Sequence, residues 1–162
     1  MSIRPTVTPM MLPDELSSLY QEVILDHNRS PRNYGKLDAP THVAEGFNPL
    51  CGDQLELYLR VRDDGTIEDV RFEGKGCAIS RASASLMTEE IKGKSLAEAR
   101  DLFSKFHSAV TSDSDRMVDT GELGKLVVLL GVRQFPTRVK CATLAWHTLE
   151  QALNGGGRVT TE

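Results

Sequence analysis

The spacing of apolar residues changes along the chain, and this change predicts which segments are strands and which are helices. Between Gln54 and Arg62 apolar and polar side chains alternate, the period-2 pattern of a strand with one buried face. Asp63 to Gly65 is typical of a hairpin turn, and a return strand is expected from Thr66 to Glu73. A shorter stretch, Thr41 to Gly46, can pair as a third strand. The pattern therefore predicts a small three-stranded antiparallel sheet.

Segments with apolar residues at helical spacing precede and follow this sheet. The five predicted helices span Asp14 to about Asn28, Ala78 to Lys92, Ser95 to about Ser108, Glu122 to Leu130, and Pro136 to Leu153. Ser95 and Glu98 form the pattern of a capping box, and Pro136 suits a first helical turn. One helix, a sheet and then a run of helices indicate an α+β fold, with about five helices packed on one face of the sheet.

Length and composition favour one domain. The chain has 162 residues, of which 40% are apolar and 26% charged, as in ordinary globular proteins. We expect a domain over residues 14–153, a flexible N-terminal tail over residues 1–13 and a flexible C-terminal tail over residues 154–162, where Asn154 and three glycines end the last helix.

Composition also narrows the expected partners and compartment. No apolar run approaches ~18 residues, so no membrane partner is expected. The net charge is −4 and the basic residues are scattered, which disfavours nucleic acid as a partner. The first dozen residues lack the apolar core of an export signal, so we expect a cytoplasmic protein with reduced thiols.

Three cysteines and one carboxylate form the strongest chemical signal. Cys51 precedes the alternating strand, Cys77 follows the return strand at a predicted helix start, and Cys141 lies early in the last helix. Asp53 follows Cys51 after Gly52, which allows a sharp turn. Three thiolates and one carboxylate oxygen suit a tetrahedral zinc ion. Three cysteines, an odd number, argue against a disulfide framework and for a metal or a reactive thiol.

Spacing alone leaves two interpretations of the cysteines open, a metal site or small buried apolar residues. Free cysteines are commonly small buried hydrophobes, and Cys-x-Asp is not a dense zinc signature such as paired CxxC motifs. Against that interpretation, all three cysteines lie at predicted element ends. The four histidines are weaker ligand candidates, and His27 fits a core or capping position on the first helix.

Four short motifs occur in a fixed order. They are Leu19–His27 (LYQEVILDH), Asn48–Asp53 (NPLCGD), Gly74–Ser85 (GKGCAISRASAS) and Phe135–Ala142 (FPTRVKCA). Over about residues 16–153 the chain thereby resembles the IscU and NifU N-terminal superfamily of iron–sulfur cluster assembly proteins. Two features are similar to its SufU branch: Lys140 precedes the last cysteine, where IscU-type scaffolds carry a histidine, and residues about 94–121 resemble a SufU-type insertion.

The resemblance implies a zinc ion held by Cys51, Asp53, Cys77 and Cys141. It further implies a zinc-dependent sulfurtransferase that works with a cysteine desulfurase of the SUF system, whose pyridoxal phosphate belongs to that partner, and that serves a downstream SUF scaffold complex. Cys51 is our candidate for the catalytic persulfide acceptor.

Two residues near the last cysteine are candidates for partner contact. Arg138 and Lys140 are expected to flank the site, and the resemblance favours Arg138 for contacting the desulfurase. Two other function classes stay open: a scaffold that transiently holds an iron–sulfur cluster, and a binding protein with a purely structural zinc.

Overall fold

A four-stranded mixed sheet forms the frame of the fold in a computed structural model that describes residues 13–113 and 120–160. The strands are β1 (His42–Asn48), β2 (Asp53–Val61), β3 (Ile67–Lys75) and β4 (Gly157–Thr160). Their order across the sheet is β3-β2-β1-β4. The pairs β1–β2 and β2–β3 are antiparallel, whereas β4 lies parallel to β1.

The fourth strand shows that the prediction of a three-stranded, purely antiparallel sheet is wrong. Gly155, Gly156 and Gly157 all have positive φ, and they turn the chain after the last helix so that β4 runs beside β1. Four residues of the predicted C-terminal tail, residues 154–162, form this strand. Residues 161–162 and most of the predicted N-terminal tail lie outside the described part of the chain.

The helices follow the predicted order closely. They are α1 (Pro13–Arg29), α2 (Ala78–Ile91), α3 (Leu96–Val110) and α4 (Pro136–Leu153), with 3₁₀ segments at Thr120–Glu122 and Gly124–Gln134. The capping box is confirmed, because the Ser95 side chain accepts from the Glu98 amide and Glu98 accepts from the Ser95 amide. In residues 13–113 and 120–160, no helix combines the length and the apolar character that crossing a bilayer requires.

The predicted fourth helix, Glu122 to Leu130, is instead a 3₁₀ segment that continues to Gln134. Three of its four buried residues, Leu126, Leu129 and Val132, recur every three positions, which matches the three residues per turn of a 3₁₀ helix. A spacing of three lies close to the spacing of an α-helix, so sequence alone did not separate the two.

The alternating strand β2 supplies the centre of the core, as predicted. Leu55, Leu57 and Leu59 are buried, while Gln54 and Glu56 on the opposite face are exposed. Helices α2 and α4 pack on the buried face, where β2 contributes to the same apolar cluster. Ser and Ala residues line the buried side of α2 and let the helices approach closely. This packing brings the start of α2 and the first turns of α4 to one end of the sheet.

Candidate metal centre

The β1–β2 hairpin exposes the thiol of Cys51 to solvent and buries the carboxylate of Asp53. Asn48 pairs with Asp53 in the strand register, so the four residues between them form the connecting loop. Gly52 has φ +71°, a conformation that favours glycine. Cys51 is consequently exposed at the tip of the loop, whereas the Asp53 side chain is fully buried.

Cys77 links the end of β3 to the start of α2 and also fixes the buried carboxylate. It is the N-cap of α2, and its sulfur accepts a hydrogen bond from the Ser80 amide at 3.5 Å. Its backbone N–H donates to Oδ1 of Asp53 at 2.9 Å, and its Sγ lies 4.0 Å from Oδ2 of the same carboxylate. Asp53 is thus held facing the Cys77 thiol.

Cys141 completes the cluster from α4. It is buried, and its Sγ lies 3.3 Å from Sγ of Cys51. One ligand atom from each of Cys51, Asp53 and Cys141 lies within 4.8 Å of the other two. Cys77 joins this group through its contact with Asp53. The structure therefore brings all four residues predicted as ligands to one end of the sheet, although Cys141 lies on the second turn of α4 and not at its N-terminus.

The donor chemistry of this cluster fits a zinc ion. A hydrogen bond with the Cys141 thiol lowers the pKa of Cys77 from 9.0 to about 6. The same hydrogen bond, followed by burial, raises the pKa of Cys141. Thiols packed this closely cannot all ionise without a cation, and a divalent ion would neutralise the charge of several thiolates at once. Three sulfurs and one carboxylate oxygen match the ligand number and types of tetrahedral zinc.

Asn48 and Gly76 were not predicted as site residues, but both lie against the side chain of Asp53. Asn48 is fully buried, and its Nδ2 donates to Oδ2 of Asp53 at 3.2 Å and to Sγ of Cys141 at 3.6 Å. A Cβ at Gly76 would lie 2.2 Å from Oδ1 of Asp53. Both residues belong to the cysteine motifs, but nothing in their spacing marks them as groups that position a ligand.

The partner-contact candidates lie beside the cluster. Arg138 is exposed, and its guanidinium carbon lies 4.5 Å from the centre of the Phe135 ring. Lys140 is half-buried next to Cys141. Two large apolar side chains are also exposed on these segments, Leu50 at 60% and Phe135 at 45%. The rim around Cys51 therefore combines apolar and basic groups.

Three of the four histidines make their contacts away from the cysteine cluster. Nδ1 of His27 is 2.7 Å from Oγ of Ser85 in the core between α1 and α2. His107 and His147 pack around the Phe103 ring on α3 and α4. Within residues 13–113 and 120–160, the group that could hold a metal contains no histidine.

Buried His27 predicts acid-sensitive stability. Burial, helped by Arg32, lowers its pKa from 6.5, while the neighbouring Glu89 and Asp26 oppose this shift. Because the folded state binds the proton more weakly than the unfolded state, this contribution to stability is present above pH 6.5 and is lost as pH falls through 6.5 towards the lower folded pKa.

Urea unfolding at about pH 7.5 and about pH 5.5 measures this effect. We expect the wild type to lose more stability on acidification than His27→Asn, which retains a polar side chain without a titrating group. An equal loss in both proteins would show that another group governs the response.

The family model described as the NifU-like N-terminal domain matches residues 19–142. Two curated relatives are similar over most of their length. The protein named iron–sulfur cluster assembly scaffold protein IscU from Thermotoga maritima is 44% identical over 135 residues, covering 83% of this chain and 92% of the relative. The protein named zinc-dependent sulfurtransferase SufU from Bacillus subtilis is 44% identical over 138 residues, covering 85% and 91%.

A solved structure is also similar. It is a SufU from Fervidobacterium islandicum, described as an iron–sulfur cluster assembly scaffold for the SUF system, with 39% identity and a TM-score of 0.75 over 82% of this chain and 94% of that one. The range matched by the family model spans the three cysteines and Asp53, and the α+β fold is shared with that structure. The chain therefore belongs to the NifU-like N-terminal domain family, the iron–sulfur cluster assembly proteins that include IscU and SufU.

Proposed function

We propose that this protein is a zinc-dependent sulfurtransferase that accepts a persulfide from a cysteine desulfurase for iron–sulfur cluster assembly. The main support for this proposal is that the residues of the cluster differ in their exposure to solvent. Cys51 is exposed at a loop tip, whereas Asp53 and Cys141 are buried beside it. One thiol can meet a partner while the remaining groups stay in place, as a carrier requires.

The transfer is a thiol–persulfide exchange at Cys51. Its thiolate attacks the outer sulfur of the desulfurase persulfide, a new S–S bond forms on Cys51, and the desulfurase cysteine leaves as a thiolate. No oxidant is consumed, because the sulfur keeps its oxidation level. Zinc, when bound by the four residues, would keep the thiols deprotonated and protect them until the partner docks. Asp53, Cys77 and Cys141 are the proposed anchors.

The alternative is a scaffold on which a cluster is assembled. The Thermotoga maritima relative carries a scaffold name, and the same cysteines could ligate iron. Lys140 favours the first proposal, because the resemblance implies a histidine at that position in IscU-type scaffolds. The name of the Bacillus subtilis relative supports zinc and sulfur transfer.

Metal and acid-labile sulfide analysis of protein purified without chelators separates these two functions. About one zinc per chain without sulfide supports the sulfurtransferase. Iron together with sulfide, and transfer of that cluster to an apo-acceptor, would establish the scaffold.

We also propose that the rim around Cys51 docks the desulfurase, with Arg138 and Lys140 as its basic contacts. Replacing Arg138 with alanine is expected to raise the concentration of this protein needed for half-maximal desulfurase stimulation about tenfold, as expected for loss of ~1.4 kcal/mol of binding. Steady-state desulfurase assays at increasing protein concentration measure it.

Arg62→Ala is the matched control for this prediction. Arg62 is an exposed arginine just beyond the end of β2 opposite Asp53, which places it about 30 Å from the site. Zinc content should be unchanged in both variants. An equal effect of the two substitutions would point to net charge and would contradict a specific contact at Arg138.

A further inference from the structure

Asn48 connects two residues of the cluster through one side chain. Its Nδ2 donates to Oδ2 of Asp53 at 3.2 Å and to Sγ of Cys141 at 3.6 Å. The other carboxylate oxygen of Asp53 accepts from the backbone N–H of Cys77. Asp53 is therefore fixed from both sides, by the N-cap of α2 and by the Asn48 amide.

The carbonyl oxygen of the Asn48 amide makes no contact of this kind. Its Oδ1 is buried and has no hydrogen-bond partner among the described residues, although the whole side chain is inaccessible to solvent. A buried polar atom without a partner destabilises the fold, and an apolar side chain of similar size would avoid that loss. The NH₂ group is the part of the amide that makes contacts, and both of its acceptors are proposed ligands.

We propose that Asn48 is a positioning residue that sets how firmly the cluster retains its metal. This inference rests on the proposed zinc-holding function and extends it to a residue that contacts the ligands without being one. The Nδ2 donor orients the Asp53 carboxylate and the Cys141 sulfur towards a common point. Replacing a group that holds metal ligands in this way commonly lowers the metal affinity by roughly 10–100-fold.

The amide also explains how the anchors stay in place while Cys51 reacts. Asp53 and Cys141 lie on different elements, β2 and α4, and Asn48 at the end of β1 contacts both. Cys51 receives no hydrogen bond from Asn48 in the described contacts; its sulfur instead contacts Cys141. Asn48 thus holds the buried side chains of Asp53 and Cys141 relative to each other and does not restrain the exposed thiol of Cys51.

The test compares zinc release from the wild type, Asn48→Leu and Asn48→Ser. Asn48→Leu retains side-chain volume and removes the donor, whereas Asn48→Ser retains a shorter donor. The control is Thr148→Val, which removes another fully buried hydrogen bond, from Thr148 to the Leu144 carbonyl oxygen, without touching a ligand. Zinc transfer to a chromogenic chelator gives the release rate, and the Co²⁺-substituted spectrum reports ligand geometry.

We expect Asn48→Leu to release zinc about 10–100 times faster than the wild type and to shift the Co²⁺ bands. Asn48→Ser should lie between them, and Thr148→Val should match the wild type. If Asn48→Leu does not fold without metal, as judged by circular dichroism, the comparison of Asn48→Ser with Thr148→Val decides the question.

Wild-type release rates and cobalt spectra in the Asn48 variants would overturn the inference and leave the proposed function intact. A wild type that binds neither zinc nor cobalt would overturn both. The two failures are therefore distinguishable in one experiment.

Discussion

Replacing Cys51 with alanine is expected to leave a cysteine desulfurase working at the rate it shows alone. Cys51 is the exposed thiol of the cluster, while Cys141 is buried and Cys77 is only partly accessible. Without Cys51 the desulfurase persulfide meets no nucleophile that it can reach. The expected loss of stimulation is complete, since the exchange requires a thiolate at the acceptor. Sulfide or alanine production by the desulfurase, with and without the variant, measures this loss.

The fold of this variant should survive. Cys51 lies on an exposed loop and contributes no buried apolar surface, so thermal unfolding of the metal-free variant should match that of the metal-free wild type. Full stimulation by Cys51→Ala would exclude Cys51 as the acceptor and direct attention to Cys77, the next most accessible thiol.

Replacing Gly76 with alanine is expected to give the second large effect. The new Cβ would lie 2.2 Å from Oδ1 and 3.0 Å from Cα of Asp53. Asp53 cannot simply move aside, because the backbone N–H of Cys77 holds that same oxygen. Gly76 also has φ +152°, which side chains rarely adopt. We expect about 10–100-fold weaker zinc binding and a loss of about 1–3 kcal/mol in stability.

Gly35→Ala is the matched control for this prediction. Gly35 has φ +121°, but its added Cβ would meet no atom within 4 Å. It therefore shares the backbone penalty without the clash at Asp53. Competition for zinc with a chelator of known affinity, together with urea unfolding, measures both effects. Equal zinc affinity in the two variants would contradict a steric role of Gly76 at the carboxylate.

Several elements were predictable because a local rule determines them. The alternation from Gln54 to Arg62 identified β2, since each side chain takes the face that the strand period assigns. Pro136 marked the first residue of α4, and Ser95 with Glu98 marked the start of α3. The four predicted ligands also lie together, because the start of β2, the start of α2 and the first two turns of α4 meet at the same end of the sheet.

Other features depend on contacts between distant segments. Strand β4 has four residues and pairs with β1 more than a hundred positions earlier, so no local period identifies it. The positioning role of Asn48 appears only when α4 brings Cys141 against the β1–β2 hairpin. The 3₁₀ segment before α4 resembles an α-helix in its apolar spacing. For β4 and for Asn48 the deciding interaction is tertiary.

The most direct test of sulfur transfer is to locate the transferred sulfur. Zinc-loaded protein is incubated with a cysteine desulfurase and isotope-labelled cysteine, thiols are blocked, and proteolytic peptides are analysed by mass spectrometry. We predict one extra labelled sulfur atom on the peptide that contains Cys51, and a marked decrease when zinc is first removed. Label confined to Cys77 or Cys141, or label recovered only as sulfide in an iron-containing cluster, would contradict the assignment of this protein as a zinc-dependent persulfide acceptor.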